Sequence, residues 1–199
     1  MRAAKARTEV RQDQIAQAAL DLMVRHGWKK VSIAAVARKV GVVPSNIYRH
    51  YPGKDQVLDA VLDLVGQRLL ENVQAVRQET QNTFERLHHL LSRHVQLVRG
   101  EVPIPRVAFS EEAFAGSSTR RRKVYQLFKR YLDGIAGLIH EGQESGGIRT
   151  DVAADPLAVM FLGLVQPAAI LWVMSDGQFD IESQTETAWR VFRQAIQPD

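Results

Sequence analysis

Apolar and polar residues alternate along the chain with the period of a helix over most of its length. For example, Val57, Val61 and Val65 recur every four residues, a spacing that places them on one helical face. No segment shows the strict alternation that is typical of a half-buried strand. The pattern therefore predicts an all-α protein of about nine helices, over residues 8–26, 33–40, 44–51, 55–78, 83–99, 106–114, 119–144, 155–175 and 181–197.

The second and third predicted helices form a helix-turn-helix over about residues 32–52. Ser32 is a good N-cap, because its hydroxyl can accept a hydrogen bond from a backbone N–H of the first turn. Gly41 follows the apolar stripe of the first helix, and Pro44 suits the first turn of the next. Pro52-Gly53 ends that helix. This pattern is typical of proteins that insert a helix into the DNA major groove, and an ordinary helical hairpin remains the alternative.

Charge favours a nucleic-acid partner for this part of the chain. Residues 1–54 carry eleven Lys and Arg against three Asp and Glu, a net charge of +8, whereas the whole 199-residue chain carries +4. The remaining residues are therefore net −4. Basic charge that is concentrated around a helix-turn-helix indicates a polyanion as its partner.

About fifty residues, from Gln14 to about Leu64, resemble the DNA-binding domain of the TetR family of bacterial transcriptional regulators. One departure is Val43, where the family usually has a polar cap before the recognition helix. The residues that carry the resemblance are Ile15, Ala18, Ala19, Leu22, Gly27, Ile33, Val36, Ala37, Gly41, Val42, Ile47, Tyr48, His50, Tyr51 and Lys54.

The resemblance implies an N-terminal DNA-binding domain over residues 1–54 and a helical effector-binding and dimerisation domain over residues 55–199. It implies a homodimer that forms through the last two long helices, about 155–175 and 181–197, and that binds double-stranded operator DNA at an inverted repeat. Family positions that contact base edges fall on Pro44, Ser45, Asn46 and Arg49. Positions that contact phosphates fall on Ser32, Tyr48, His50 and Lys54.

The resemblance also implies a small-molecule effector that releases the DNA, with repression as the family default. Aromatic residues and one histidine of the second domain are candidates for lining its site, although such residues at helical spacing are first of all core. These candidates are Phe84, His88, Phe109, Tyr125, Phe128, Phe161 and Trp172. A site lined by such groups favours a hydrophobic or amphipathic effector.

Residues 157–174 form the most apolar stretch, which approaches the length of a membrane span. Gln166 and Pro167 interrupt it, and no second segment resembles it, so a buried helix that also meets a second subunit is the favoured interpretation. Because the basic N-terminus lacks an apolar segment, we expect no signal peptide and a cytoplasmic protein without a membrane partner.

The sequence contains no residues arranged for catalysis. It has no cysteines, no glycine-rich phosphate loop, no G-x-S-x-G and no H-E-x-x-H, so we expect no enzyme and no cofactor. The spacing of His88, His89 and His94 does not match a metal site on a helix, and no metal is expected. Two other interpretations stay open: a transcriptional activator or ligand-independent DNA-binding protein, and a helical protein-interaction module.

Overall fold

The computed structural model describes residues 2–100 and 117–198, with side chains from residue 8 onward. Within these ranges the secondary structure is helical, as the sequence predicts. The α-helices are α1 (Arg2–His26), α2 (Ile33–Val40), α3 (Pro44–Tyr48), α4 (Lys54–Glu79), α5 (Thr83–Arg99), α6 (Ser118–Glu144), α7 (Ala154–Met174) and α8 (Ile181–Ala195), and a short 3-10 helix spans Trp28–Lys30. The helix predicted at 106–114 lies outside the described residues.

The helix ends follow from local chemistry. Ser32 caps α2, with its Oγ accepting from the Ala35 N–H at 3.1 Å, and Asn82 caps α5 in the same way. Gly41 ends α2 in the left-handed region, at φ 76°, where a side chain would be strained.

Two predicted ends differ clearly from the structure. α1 begins at Arg2, whereas the sequence predicts its start at residue 8. The α-helical part of α3 stops at Tyr48, whereas the sequence predicts a helix to Tyr51. Arg49 and His50 form a turn, in which the N–H groups of His50 and Tyr51 both donate to the Ile47 carbonyl at 2.9 Å. Tyr51 precedes Pro52, and a residue before proline is driven out of the α region.

The described residues divide into two compact units. The first comprises residues 2–67 and 117–124, in which α2 packs on α1 and on α3. The second comprises residues 68–100 and 125–198, in which α5, α7 and α8 pack on one another. Within the second unit, the Arg86 guanidinium donates to Glu141 at 2.9 Å and to the Thr80 carbonyl at 2.6 Å, so a largely buried charge is fully paired.

Candidate functional site

The α2–turn–α3 segment is held to the first unit by its inner side chains. Val36, Ala37 and Ile47 are all almost fully buried. Ahead of α3, the Val42 N–H donates to the Ala37 carbonyl at 2.9 Å, which closes the turn. Val43 occupies the N-cap position of α3 with no side-chain hydrogen bond, as its apolar side chain requires.

The predicted base-contact residues lie together on α3 and the turn after it. Pro44, Ser45 and Arg49 are exposed, and Asn46 is half-buried. Tyr48, which the resemblance assigns to phosphate, also lies on this surface with 54% of its area exposed. A large aromatic side chain that has so little contact with its own fold is available to a partner.

Several cations near this surface have no partner among the described residues. Arg49 on the turn, Arg38 on α2 and Lys30 before α2 are all exposed, and no described side chain pairs with them. Lys39 differs, because its ammonium lies 2.8 Å from the Asp21 carboxylate. His50 is half-buried, and Ser32 is exposed while its hydroxyl caps α2.

Lys54 stands apart from the other predicted DNA contacts. Its Nζ donates to the Trp28 carbonyl at 2.9 Å and lies 3.5 Å from the Lys29 carbonyl. The same ammonium lies 4.9 Å from the centroid of the Trp28 ring. The structure therefore directs the charge of Lys54 towards its own backbone.

Tyr51 anchors the segment that follows α3. Its hydroxyl donates to the Gln12 carbonyl of α1 at 3.4 Å. Burial raises the pKa of this phenol, and the nearby carboxylates of Asp13 and Asp63 raise it further. Tyr51 is therefore neutral, and remains a hydrogen-bond donor, at physiological pH.

The candidate effector residues lie in different environments of the second unit. Phe161 is 1% exposed and packs edge-on against Trp189 and Phe192, whereas Tyr125 is 66% exposed. His88 stacks on Trp189 and lies 2.7 Å from Glu186. The other described candidates, Phe84, Phe128 and Trp172, are half-buried. The Arg193 guanidinium lies over the Phe84 ring, and Trp172 lies beside Gly177. Phe109 lies outside the described residues.

A deeply buried polar pair of this unit, His94 and Tyr131, was not predicted from the sequence. His94 Nδ1 lies 3.0 Å from the Tyr131 hydroxyl, and both residues are almost fully buried. Burial lowers the pKa of His94 to about 4 and raises that of Tyr131. The available signal was that His94 continues the apolar stripe of Leu87, Leu90 and Leu91 along α5.

A groove of about 480 Å³ lies between α5 and α8. Its walls combine apolar groups with two carboxylates, and both carboxylates are occupied: Glu182 by Arg99 and Glu186 by His88. The residues that line it are Leu91, Ser92, Val95, Gln96, Glu182, Ser183, Thr185 and Glu186. Among the described residues, no group of three or more His, Asp or Glu is placed to hold a metal ion.

One side of α7 is apolar and has no packing partner in the described chain. Leu157, Phe161 and Val165 face the core, but a second set of apolar side chains faces outward. α7 is long and apolar enough to cross a membrane by length and composition, with 39% of its most apolar window buried. The outward set consists of Val159, Met160, Ile170, Leu171 and Met174, joined by Val191 of α8.

Comparison with known protein families matches both parts of the chain. Residues 15–61 match the family described as bacterial regulatory proteins, tetR family. Residues 64–195 match the family described as YsiA-like protein, C-terminal region, a TetR C-terminal family.

Two characterised relatives align with most of the chain. The fatty acid metabolism regulator protein of Bacillus subtilis is 24% identical over 84% of this chain and 86% of its own length. The nucleoid occlusion factor SlmA of Vibrio vulnificus is 22% identical over 94% of this chain and 95% of its own.

Solved structures share the fold at low sequence identity. The transcriptional regulator FadR from Bacillus subtilis, solved in complex with stearoyl-CoA, superimposes with a TM-score of 0.76 at 22% identity, over 92% of this chain and 98% of that one. A TetR-family regulator from Agrobacterium tumefaciens superimposes with a TM-score of 0.77 at 18% identity, over 96% of this chain and 99% of that one.

Proposed function

Because the chain belongs to the TetR family of bacterial transcriptional regulators, we propose that it is a ligand-responsive repressor that binds an inverted-repeat operator as a homodimer. The observation that carries this proposal is the exposed surface of α3, where polar side chains and Tyr48 lie near cations that have no partner among the described residues.

On this proposal, each subunit presents α3 to a major groove. Arg49 is suited to the N7 and O6 acceptors of guanine, and Asn46 to the N6 and N7 of adenine, each good bidentate pair contributing about 1–3 kcal/mol of discrimination. Pro44 and Ser45, which are exposed on the same segment, are the other proposed base contacts. Ser32, Tyr48 and His50 are assigned to phosphates, which set register and salt dependence.

The dimer is proposed to form through α7 and α8. Exposed apolar side chains recur along α7 from Val159 to Met174, and Val191 of α8 is exposed as well. Large exposed apolar surface marks interaction sites. A two-fold dimer that pairs this surface with its own copy presents two copies of α3, and hence requires an inverted repeat in the DNA.

We propose a long-chain acyl-CoA as the effector class, supported by the likeness to the Bacillus subtilis fatty acid regulator and to the structure that contains stearoyl-CoA. The candidate contacts remain Phe84, His88, Phe109, Tyr125, Phe128, Phe161 and Trp172. α4 runs unbroken from Lys54 to Glu79 and so contributes to both units. An effector that binds one tilt of α4 more tightly shifts the dimer away from the spacing that fits the operator.

The test is fluorescence anisotropy with a duplex from upstream of the protein's own gene and a scrambled duplex, at two salt concentrations. We expect a specificity ratio that persists at the higher salt concentration, and release by stearoyl-CoA but not by CoA alone. Equal binding to both duplexes that disappears with salt would refute operator recognition. Specific binding that stearoyl-CoA leaves unchanged would refute only the effector, and would favour the activator or ligand-independent alternative.

A second candidate is a role in nucleoid occlusion, favoured by the likeness to SlmA over nearly the whole of both chains. It predicts specific binding at many chromosomal sites, with no change in transcription of the adjacent genes when the protein is deleted. The remaining alternative, a helical protein-interaction module, predicts no sequence preference on DNA.

A further inference from the structure

The Lys54 ammonium joins the two ends of the helix-turn-helix. Trp28 lies before α2 and Lys54 lies after α3, so the hydrogen bond between them spans 26 residues and encloses the whole of both helices. The Trp28 carbonyl also accepts the Val31 N–H at 3.0 Å, which closes the 3-10 helix. Both lone pairs of this oxygen are therefore used, one by the local turn and one by the start of α4.

The position of Lys54 in its own helix agrees with this role. A cation at the first residue of a helix is unfavourable, because that end carries the positive pole of the helix dipole. In this structure the ammonium turns away from α4 towards the carbonyls of Trp28 and Lys29, at the negative end of a short helix. The Trp28 ring, itself 6% exposed, adds a cation–π contact at 4.9 Å.

We propose that Lys54 is a positioning residue for DNA recognition: it fastens the start of α4 to the segment that begins α2, so that α2, α3 and α4 move as one body. It contributes by holding α3 at a fixed angle to α4 and does not neutralise a phosphate. This inference rests on the proposed operator binding, but its first test requires no DNA.

The first test is hydrogen exchange of the free, full-length protein, comparing wild type with Lys54→Met, which keeps the apolar stem and removes the ammonium. Loss of a hydrogen bond from a charged donor predicts exchange about tenfold faster over residues 28–35. Arg38→Met, an exposed cation on α2 without a partner in the described chain, is the control and should leave that segment unchanged. Unchanged exchange in Lys54→Met would overturn the proposal whether or not the protein binds an operator.

The second test is the salt dependence of operator affinity. A lysine that neutralises one phosphate contributes about 0.9 to the slope of log K against log salt, so a homodimer that lost two would show a slope smaller by about 1.8. For a positioning residue we expect Lys54→Met to bind about tenfold more weakly at every salt concentration, with the wild-type slope. A slope that fell by about 1.8 would show that Lys54 of each subunit contacts a phosphate.

Lys54→Gln is a second variant for the same two experiments if the methionine variant does not fold. Glutamine has no charge but keeps an N–H donor. A positioning role predicts the wild-type slope and partial recovery of the exchange protection over residues 28–35, whereas a phosphate contact predicts the reduced slope. If no operator is found for the wild type, only the proposed function fails, and the exchange experiment still decides the role of Lys54.

Discussion

The buried pair of His94 and Tyr131 makes the stability of the second unit dependent on pH. The pKa of His94 falls from the ordinary value of 6.5 to about 4 in the fold, because burial disfavours the imidazolium. The unfolded chain therefore binds a proton at a higher pH than the folded chain does. Above about pH 7, His94 has no effect on the free energy of unfolding. As the pH falls from 6.5 towards 4, protonation of His94 in the unfolded chain lowers the free energy of unfolding.

The magnitude follows from the difference between the two pKa values. Each pKa unit corresponds to about 1.4 kcal/mol, so the full effect is roughly 3 kcal/mol per chain below pH 4. At pH 5.5 the expected loss is roughly 1 kcal/mol, and at pH 4.5 roughly 2–3 kcal/mol. These are large fractions of the stability of a typical protein, which is about 5–15 kcal/mol.

The assay is urea unfolding at pH 7, 5.5 and 4.5, at one fixed protein concentration, for wild type and His94→Asn. The Asn Oδ1 replaces Nδ1 opposite the Tyr131 hydroxyl, and the cavity that it leaves costs the same at every pH. We therefore expect the difference in unfolding free energy between wild type and variant to shrink steadily as the pH falls. His26→Asn, at an exposed position, is the control. A difference in unfolding free energy between wild type and His94→Asn that stays constant from pH 7 to pH 4.5 would contradict a lowered pKa of His94.

Three further predictions concern the cap, the ion pairs and the dimer. Ser32→Ala removes the hydrogen bond from the Ala35 N–H and should lower the free energy of unfolding by about 1 kcal/mol in urea titration, whereas no change would exclude the cap. Arg120→Met and Asp59→Asn, which break a pair 3.0 Å apart, should show a coupling energy of about 1 kcal/mol in a double-mutant cycle, and additive effects would contradict a direct interaction. Met174→Glu, on a side chain 76% exposed, should shift the dimer towards monomer in sedimentation with the helical circular dichroism unchanged, and a stable dimer would exclude this surface.

The helices could be predicted because their signals are local. α5 runs from Thr83 to Arg99, as its helical periodicity predicts. Gly41 adopts a positive φ, as its position after the apolar stripe of α2 predicts. The end of α3 was harder to predict, because an apolar residue at Tyr51 continues the stripe while Pro52 opposes a helix there. The restriction from proline prevails in the structure, since no packing compensates for a steric clash in the backbone.

The roles of single polar side chains could not be predicted in the same way. The spacing of His94 argued against a metal site, but it did not show that this side chain packs against Tyr131, 37 residues away. The aromatic residues proposed for the effector could not be separated from the core by spacing, and Phe161 indeed lies among Trp189 and Phe192. Such assignments depend on which helices become neighbours, and the period of one helix carries no information about that.

The charge that the first unit offers to DNA also depends on tertiary pairing. Asp55, Asp59 and Asp63 recur every four residues along the start of α4 and form an acidic stripe directly after the helix-turn-helix. Left alone, these carboxylates would repel the phosphates that the basic residues attract. Arg120 pairs with Asp59 at 3.0 Å and with Asp55 at 3.3 Å, and Lys123 pairs with Asp63 at 2.6 Å.

Arg120 and Lys123, two of the four consecutive cations at residues 120–123, thus neutralise this stripe, and Lys39 is likewise paired within the unit. The net charge of +8 on residues 1–54 already counts Asp21 against Lys39, and the other pairs lie outside those residues, so this pairing leaves it unchanged. Cations without a partner among the described residues remain: Lys30 in the 3-10 helix before α2, Arg38 on α2, and Arg49 on the turn after α3. Pairing within the fold therefore leaves unpartnered positive charge on the segment that also carries the exposed face of α3.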